Sequence, residues 1–332
     1  MKNKKRRKKI IILIIIIFVI TLSYNTITYK TEKTKEENNK VTTQKDYITD
    51  NLEKLNYSKE DILTIKKYVS EKNINYLINN KIDNNISMGF INEKYYIDDY
   101  LEKYINYHNQ KNKSFSETIT IINTHIDNEF YSNTIKTDTT LGKYVILNKY
   151  YYADNTYPNE QLISVPGKYH INGTSVKLTK ECYEAFLLMF QDAYNAGYGF
   201  KLKSAYRSYD TQVNTYNYWK SLDGIEKADT YSARAGFSEH QTGYAFDIRD
   251  YDYKYEDYSK SESFKWVSTN AHKYGFIIRF PEGKEHITGY QYESWHYRYC
   301  GIECATYIYE NDITYEEYYE YFIKYQNPKN LT

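Results

Sequence analysis

The side chains best suited to chemistry fall in two short segments of the C-terminal half. One is SEHQTGYAFDI, Ser238 to Ile248, and the other is ESWHYRY, Glu293 to Tyr299. His240, Asp247 and His296 supply two imidazoles and one carboxylate, a donor set that suits Zn2+ and leaves a fourth position for water. Three protein ligands describe an open, catalytic site rather than a closed structural one. Glu293 stands three residues before His296, where a carboxylate can take a proton from water at the metal without ligating it. Arg207, in SAYRSYDTQ, is placed to hold a substrate carboxylate or a developing oxyanion. Ser238, two residues before His240, is a candidate hydrogen-bonding partner for substrate. Each signal is weak alone. Ser-x-His-x-x-Gly-x-Ala-x-Asp fixes five positions together, and the other two motifs flank it in fitting order.

These residues need elements that bring them together. A turn at Gly243 can return a loop histidine to face a strand aspartate at Asp247. The pattern predicts a helix capped by Thr179 and running to Ala196, with Cys182, Phe186, Phe190 and Ala193 on one face and Gly197 ending it. Phe200, Leu202, Ser204 and Tyr206 alternate as a strand. A helix near Thr211–Leu222 follows, then a strand at Tyr244–Ile248, a helix at Ser263–Tyr274 and a strand at Phe276–Phe280. A last strand is expected at Tyr292–Tyr299, with Trp295 on the face opposite its neighbours Ser294 and His296. Two final helices start near Ile302 and Thr314. Cys300 and Cys304, at helix spacing, are expected to pack that helix rather than bind metal. This is the pattern of a compact α+β domain.

Upstream, residues 46–135 read as a helical spacer or binding domain. Ser58 with Asp61, and Ser114 with Glu117, have the form of helix N-caps with an acid at the third helical position. No chemistry is evident there. The first 141 residues hold one glycine and no proline, whereas the four prolines and eleven of the thirteen glycines lie from Pro158 onward. Arginine follows the same division. Beyond Arg6 and Arg7, it occurs only as Arg207, Arg234, Arg249, Arg279 and Arg298 in a lysine-rich chain. Lysine cannot replace a planar bidentate fork, so these positions are candidates for guanidinium geometry.

The 332 residues carry 44 basic and 43 acidic side chains, a formal charge of +1. Residues 1–9 hold seven of the basic groups and no acid, which leaves 37 against 43, or −6, in the rest. The charge that would neutralise phosphates is confined to one tail, so a nucleic-acid binder is disfavoured. Three cysteines exclude a disulfide scaffold. A mean hydropathy of −0.79 excludes a polytopic membrane protein. After the basic tail comes an apolar run, Ile10 to Leu22, extended to about the length of a membrane span by Tyr24, Ile27 and Tyr29. With no small-x-small cleavage site after it, residues 10–29 read as an uncleaved signal anchor rather than a signal peptide. Residues 30–45 then form a linker, and the remainder lies on the outer side of the membrane. No feature fixes an oligomeric state.

SAYRSYDTQ, ARAGFSEHQTGYAFDI and TGYQYESWHYRYCG resemble the zinc D-alanyl-D-alanine carboxypeptidases of the VanY type. The resemblance covers about residues 142–325, and a catalytic domain over 142–328 is expected from it. It implies an α+β fold around a central antiparallel sheet, with His240, Asp247 and His296 as zinc ligands and Glu293 as catalytic base. It implies that Arg207 stabilises the carbonyl oxygen or grips substrate, and that Ser238 and Gln212 lie near the substrate. Ser294 and Phe237 depart from the family's pattern and bear on substrate fit. The implied activity is removal of the terminal D-Ala from peptidoglycan stem peptides on the wall side of the cell membrane. No Ser-x-x-Lys or Lys-Thr-Gly motif supports a serine mechanism instead. An L,D-carboxypeptidase or an endopeptidase would use the same motifs. A non-catalytic zinc-containing wall-binding module would have no need of Glu293.

Overall fold

The computed structural model describes residues 29–30, 33, 47–158, 161–171, 175–251 and 254–326. They group into two compact units, one ending at Asn92 and the other beginning at Glu93. The basic tail and the apolar run Ile10–Leu22 lie outside the described residues, as does most of the linker. Among the described residues no helix is long and apolar enough to cross a membrane.

The first unit contains helices Lys59–Tyr68, Glu71–Asn79 and Asn84–Ile91, and each begins on a side-chain cap. Ser58 and Asp61 form a reciprocal capping box, with the Asp61 N–H donating to Ser58 Oγ at 3.1 Å and the Ser58 N–H to the Asp61 carboxylate at 3.0 Å. These bonds satisfy amides that a helix start leaves unpaired. Ile62, Ile65, Leu77, Phe90 and Ile91 are buried.

The second unit opens with two packed helices, Leu101–Lys111 and Phe115–Asn123, the latter capped by Ser114 and Glu117 as expected. The helices of the upstream region are therefore divided between the two units. Two short ladders follow. Strand β1 (Ile135–Lys136) runs parallel to β2 (Tyr151–Tyr152), and β3 (Ile163–Ser164) antiparallel to β4 (Lys177–Leu178). The main sheet is antiparallel, in the order β5 (Phe200–Ser204), β6 (Ala245–Asp250), β8 (His296–Tyr299), β7 (Phe276–Ile278). Its register sets Asp247 opposite His296 and Ala245 opposite Arg298.

Helix Lys180–Asn195 buries Cys182, Phe186, Met189 and Ala193. They join Phe200, Leu202, Phe246, Ile248 and Phe276 of the sheet in one core. Cys300 and Cys304 are buried free thiols in a second cluster with Ile277, Ile308 and Tyr315. Packing is thus their structural place.

Two expectations about elements need correction. Strand β8 begins only at His296, because residues 293–296 turn, with the His296 N–H donating to the Glu293 carbonyl at 3.3 Å. Trp295 therefore sits in a turn, 36% exposed, and lines a pocket together with His240, Asp247 and His296. The expected helix near Thr211–Leu222 spans Tyr209–Ala228, capped by Ser208 and broken at Gly224, whose φ is 80°.

Candidate active site

Three segments deliver the donor atoms. Residues Glu239–Thr242 form one 3-10 turn, which ends at Gly243 with φ 74°. A Cβ at Gly243 would lie 2.7 Å from Leu162 Cδ2, so neither the conformation nor the space admits a side chain. This turn returns His240 to the edge of β6, which carries Asp247, while β8 brings His296 across the ladder. His240 Nδ1 sits 2.6 Å from the Ala205 carbonyl, which commits that nitrogen and leaves Nε2 facing Asp247 Oδ2 at 3.5 Å. His296 Nδ1 is 3.0 Å from Asp247 Oδ1 and 3.7 Å from Glu293 Oε2. One donor atom from each of His240, Asp247 and His296 lies within 4.8 Å of the others, and all three residues are buried.

The electrostatics match this crowding. Burial alone would raise the Asp247 carboxyl, but His240 and His296 hold it well below the usual range. Burial pushes His240 down against the pull of Asp247. Burial also acts downward on His296, yet its bond to Asp247 and the charges of Asp247, Glu293 and Glu239 raise it. Glu293 is pushed up to about 7, first by burial and then by the Asp247 charge, against His296 and Arg207. Two imidazoles and an ionised carboxylate converging in a buried space fit a zinc ion by donor chemistry and by number.

A cavity of about 420 Å3 opens over these groups. Arg207, Ser238, Trp219, Tyr231, Tyr290 and Trp295 are among its lining residues. Arg207 donates through Nη1 to Gln212 Oε1 at 2.8 Å and through Nη2 to Ser204 Oγ at 3.3 Å. Gln212 also lines the cavity but is only 1% exposed, and its amide donates to the Ala233 carbonyl at 2.6 Å. Its direct contacts thus position Arg207. Phe237 lines the cavity between Tyr131 and Tyr152, with ring centroids 5.0 and 5.8 Å away. Ser294 is buried beneath the turn. The six expected site residues and Gln212 thus meet in one place.

The motifs missed what lies behind the ligands. Glu239, next to His240, is fully sealed and bound through Oε1 by Arg279 Nε at 2.9 Å and Arg298 Nη1 at 2.8 Å. Arg279 also grips Glu316 with both terminal nitrogens, at 2.9 and 2.6 Å. Two guanidinium and two carboxylate groups neutralise one another there. The restriction of arginine to five positions was the signal that could have found them.

The part of the chain that carries these residues is similar to known proteins. Residues 175–302 match the VanY family, described as D-alanyl-D-alanine carboxypeptidase. YodJ of Bacillus subtilis is 40% identical over 180 residues, which are 53% of this chain and 66% of that protein. A D-alanyl-D-alanine carboxypeptidase of Enterococcus faecium is 35% identical over 154 residues, 46% of this chain and 47% of that protein. The chain thus spans less than two thirds of the length of either relative. Among solved structures, the LdcB LD-carboxypeptidase is 39% identical over 53% of this chain and 85% of its own, with a TM-score of 0.49. A mutant of the vancomycin-resistance D,D-pentapeptidase VanY, solved with Zn(II), is 28% identical over 53% of this chain and 98% of its own, with a TM-score of 0.46.

Proposed function

We propose that this chain, which belongs to the VanY family of D-alanyl-D-alanine carboxypeptidases, removes the terminal D-Ala from peptidoglycan stem peptides by hydrolysis. The observation that carries the reading is the convergence of His240, Asp247 and His296 with Glu293 and Arg207 in one buried-walled pocket. Zinc held by the first three would supply a Lewis acid and lower the pKa of water beside Glu293. Glu293 takes a proton from the attacking water and passes it to the leaving amine nitrogen. Its raised pKa, near 7, suits a group that must both accept and donate at neutral pH. Arg207, held from one side by Gln212 and Ser204, presents its guanidinium to the carbonyl oxygen as charge develops there. Ser238, Trp219 and Trp295 form walls against which the peptide is oriented. The substrate is extracellular, and residues 10–29 serve as the anchor that holds the catalytic unit on the wall side.

A second reading has support of its own. Proteins named as LD-carboxypeptidases and as D,D-peptidases both occur among the similar solved structures, and the metal and acid groups suit either bond. On this second reading the same groups cut an L,D bond in a tetrapeptide. Mass spectrometry of purified muropeptides after incubation, with and without a zinc chelator, separates the two. Loss of one alanine from pentapeptide stems, abolished by chelation, supports D,D cleavage. Loss from tetrapeptides alone transfers the assignment to L,D cleavage. Zinc binding without release of alanine from either would leave a wall-binding module.

A further inference from the structure

We propose that Trp219, with Tyr218 and Leu222 beside it on helix Tyr209–Ala228, is a saccharide platform. It takes the sugar ring at which a stem peptide joins its glycan strand, so that the enzyme favours glycan-borne stems over free peptides. The inference deepens the carboxypeptidase reading and rests on it.

Three observations carry it. The first is a braced but open indole. The chain has three tryptophans, and two of them, Trp219 and Trp295, line the catalytic cavity while 38% and 36% exposed. An indole left in water withholds apolar area that could have stabilised the fold. The Trp219 ring is nonetheless held, by T-shaped contacts to Tyr218 and Tyr231 at centroid distances of 5.0 and 5.5 Å. The Tyr231 hydroxyl in turn donates to Asp223 at 2.6 Å. The second observation is length. Gln212, Thr215, Trp219 and Leu222 follow at intervals of three and four, so they share one face of the helix. That stripe starts at buried Gln212, which holds Arg207, and leaves the cavity at Leu222, which is exposed like Tyr218 beside it. It runs about 10 Å from Gln212 to Trp219 and about 15 Å to Leu222. In a pentapeptide stem four residues separate the cut bond from the sugar, and extended they span about 13 Å. The sugar thus falls on the platform when the bond lies at Arg207. The third observation is chemistry. The charged lining residues are Arg207, Glu239 and the groups of the metal centre, whereas Thr215, Tyr231, Ser232 and Gln291 are neutral. Gln291 is tied to Thr230 by backbone and side chain, at 2.8 and 2.9 Å, which sets it beside the Tyr231 segment. Asp223 is paired with Lys227 at 2.9 Å. A pyranose ring has an apolar C–H face and a rim of neutral hydroxyl and amide groups. An indole bordered by neutral hydrogen-bonding side chains complements both.

The test compares alanine release by the zinc-loaded full chain in detergent from a free stem peptide and from the same peptide carrying its disaccharide. In wild type the sugars should lower KM about 10-fold, the contribution expected of one stacked ring. Trp219→Ala should bring the two KM values to within about twofold of each other. Tyr218→Ala, which removes a brace outside the cavity lining, should narrow the gap in part. Tyr194→Ala removes an exposed tyrosine of helix Lys180–Asn195 and should leave the gap as in wild type. Equal KM values for the two substrates in wild type would overturn the proposal even if no variant folds. A preference undiminished in Trp219→Ala, or lost equally in Tyr194→Ala, would also overturn it. Release of alanine from neither substrate would remove the carboxypeptidase reading, and calorimetric binding of the same two peptides then decides the platform by itself. Tighter binding with the sugars, abolished in Trp219→Ala, upholds the platform, and equal binding overturns it.

Discussion

In the unit ending at Asn92, no charged side chain among the described residues is buried; in the unit beginning at Glu93, Lys149, Glu239, Arg279, Arg298 and Glu316 are all sealed from water. The first unit meets its helix starts locally, with Ser58, Ser70 and Asp83 capping within three residues. Its buried long-range contact joins two neutral groups, Tyr57 Oη and Ser87 Oγ at 2.7 Å. The second joins charged groups across long chain separations, with Arg298 reaching Glu239 and the Lys143 and Val145 carbonyls. The difference follows from what each unit must hold. A capped helix needs only its own first turn. A pocket that gathers an ionised carboxylate, two imidazoles and a second acid needs neighbouring charges fixed in place before any metal or substrate arrives.

Four measurements sharpen or break this contrast. The largest expected effect is on turnover. Glu293→Gln should lower alanine release by about 100- to 10,000-fold while zinc still binds. Near-wild-type turnover would remove Glu293 from the chemistry. Next comes Arg279→Met, which leaves Glu239 and Glu316 without their shared partner. Urea unfolding should register a loss of about 3–5 kcal/mol, since an uncompensated buried charge is left behind. A loss below about 1 kcal/mol would mean that the cluster is no more than a surface-like pair.

The third lies in the other unit. Ser58→Ala should cost about 1 kcal/mol in the unfolding of that unit and leave alanine release unchanged. A change in kcat would show that the first unit serves the site. The smallest effect concerns Glu320, away from the proposed metal. Burial acts to raise its pKa, but the His125 bond, Lys324 and Tyr151 bring it below the usual value. A carboxylate with a depressed folded pKa contributes stability above its unfolded pKa, and that contribution is lost as pH falls through the folded value. Melting temperature should therefore fall less steeply below about pH 4.5 in Glu320→Gln than in wild type. Parallel slopes would show that these contacts do not favour the ionised form.

What was legible in the sequence divides along the same line. The capping pairs Ser58–Asp61 and Ser114–Glu117 could be read because cap and acid are three residues apart. The donor set could be read because His240 and Asp247 share one motif and His296 stands with Glu293 in another. The turn at Glu293–His296 could not, since the alternation of Trp295, Tyr297 and Tyr299 looks the same whether or not its first member is in a strand. Glu239 and Glu316 were invisible because each looks like an ordinary acid until folding brings it to Arg279. The five sparing arginines told more than their number promised. Arg234 grips Asp229 through two nitrogens, Arg249 reaches the Tyr255 and Glu256 carbonyls, and the other three surround the site. Only a planar fork with several donors serves such contacts.

The pairing of Asp247 with His296 across β6 and β8 has a consequence for how the protein matures. Side chains alternate along a strand, so a slip of one residue in that ladder would send one of the two to the opposite face. Such a slip of β8 would turn Tyr297 away from the core it shares with Phe246 and would offer metal an incomplete set of donors. Metal uptake would then act as proofreading: it adds binding energy only to chains whose strands are aligned, and withholds it, together with activity, from the rest.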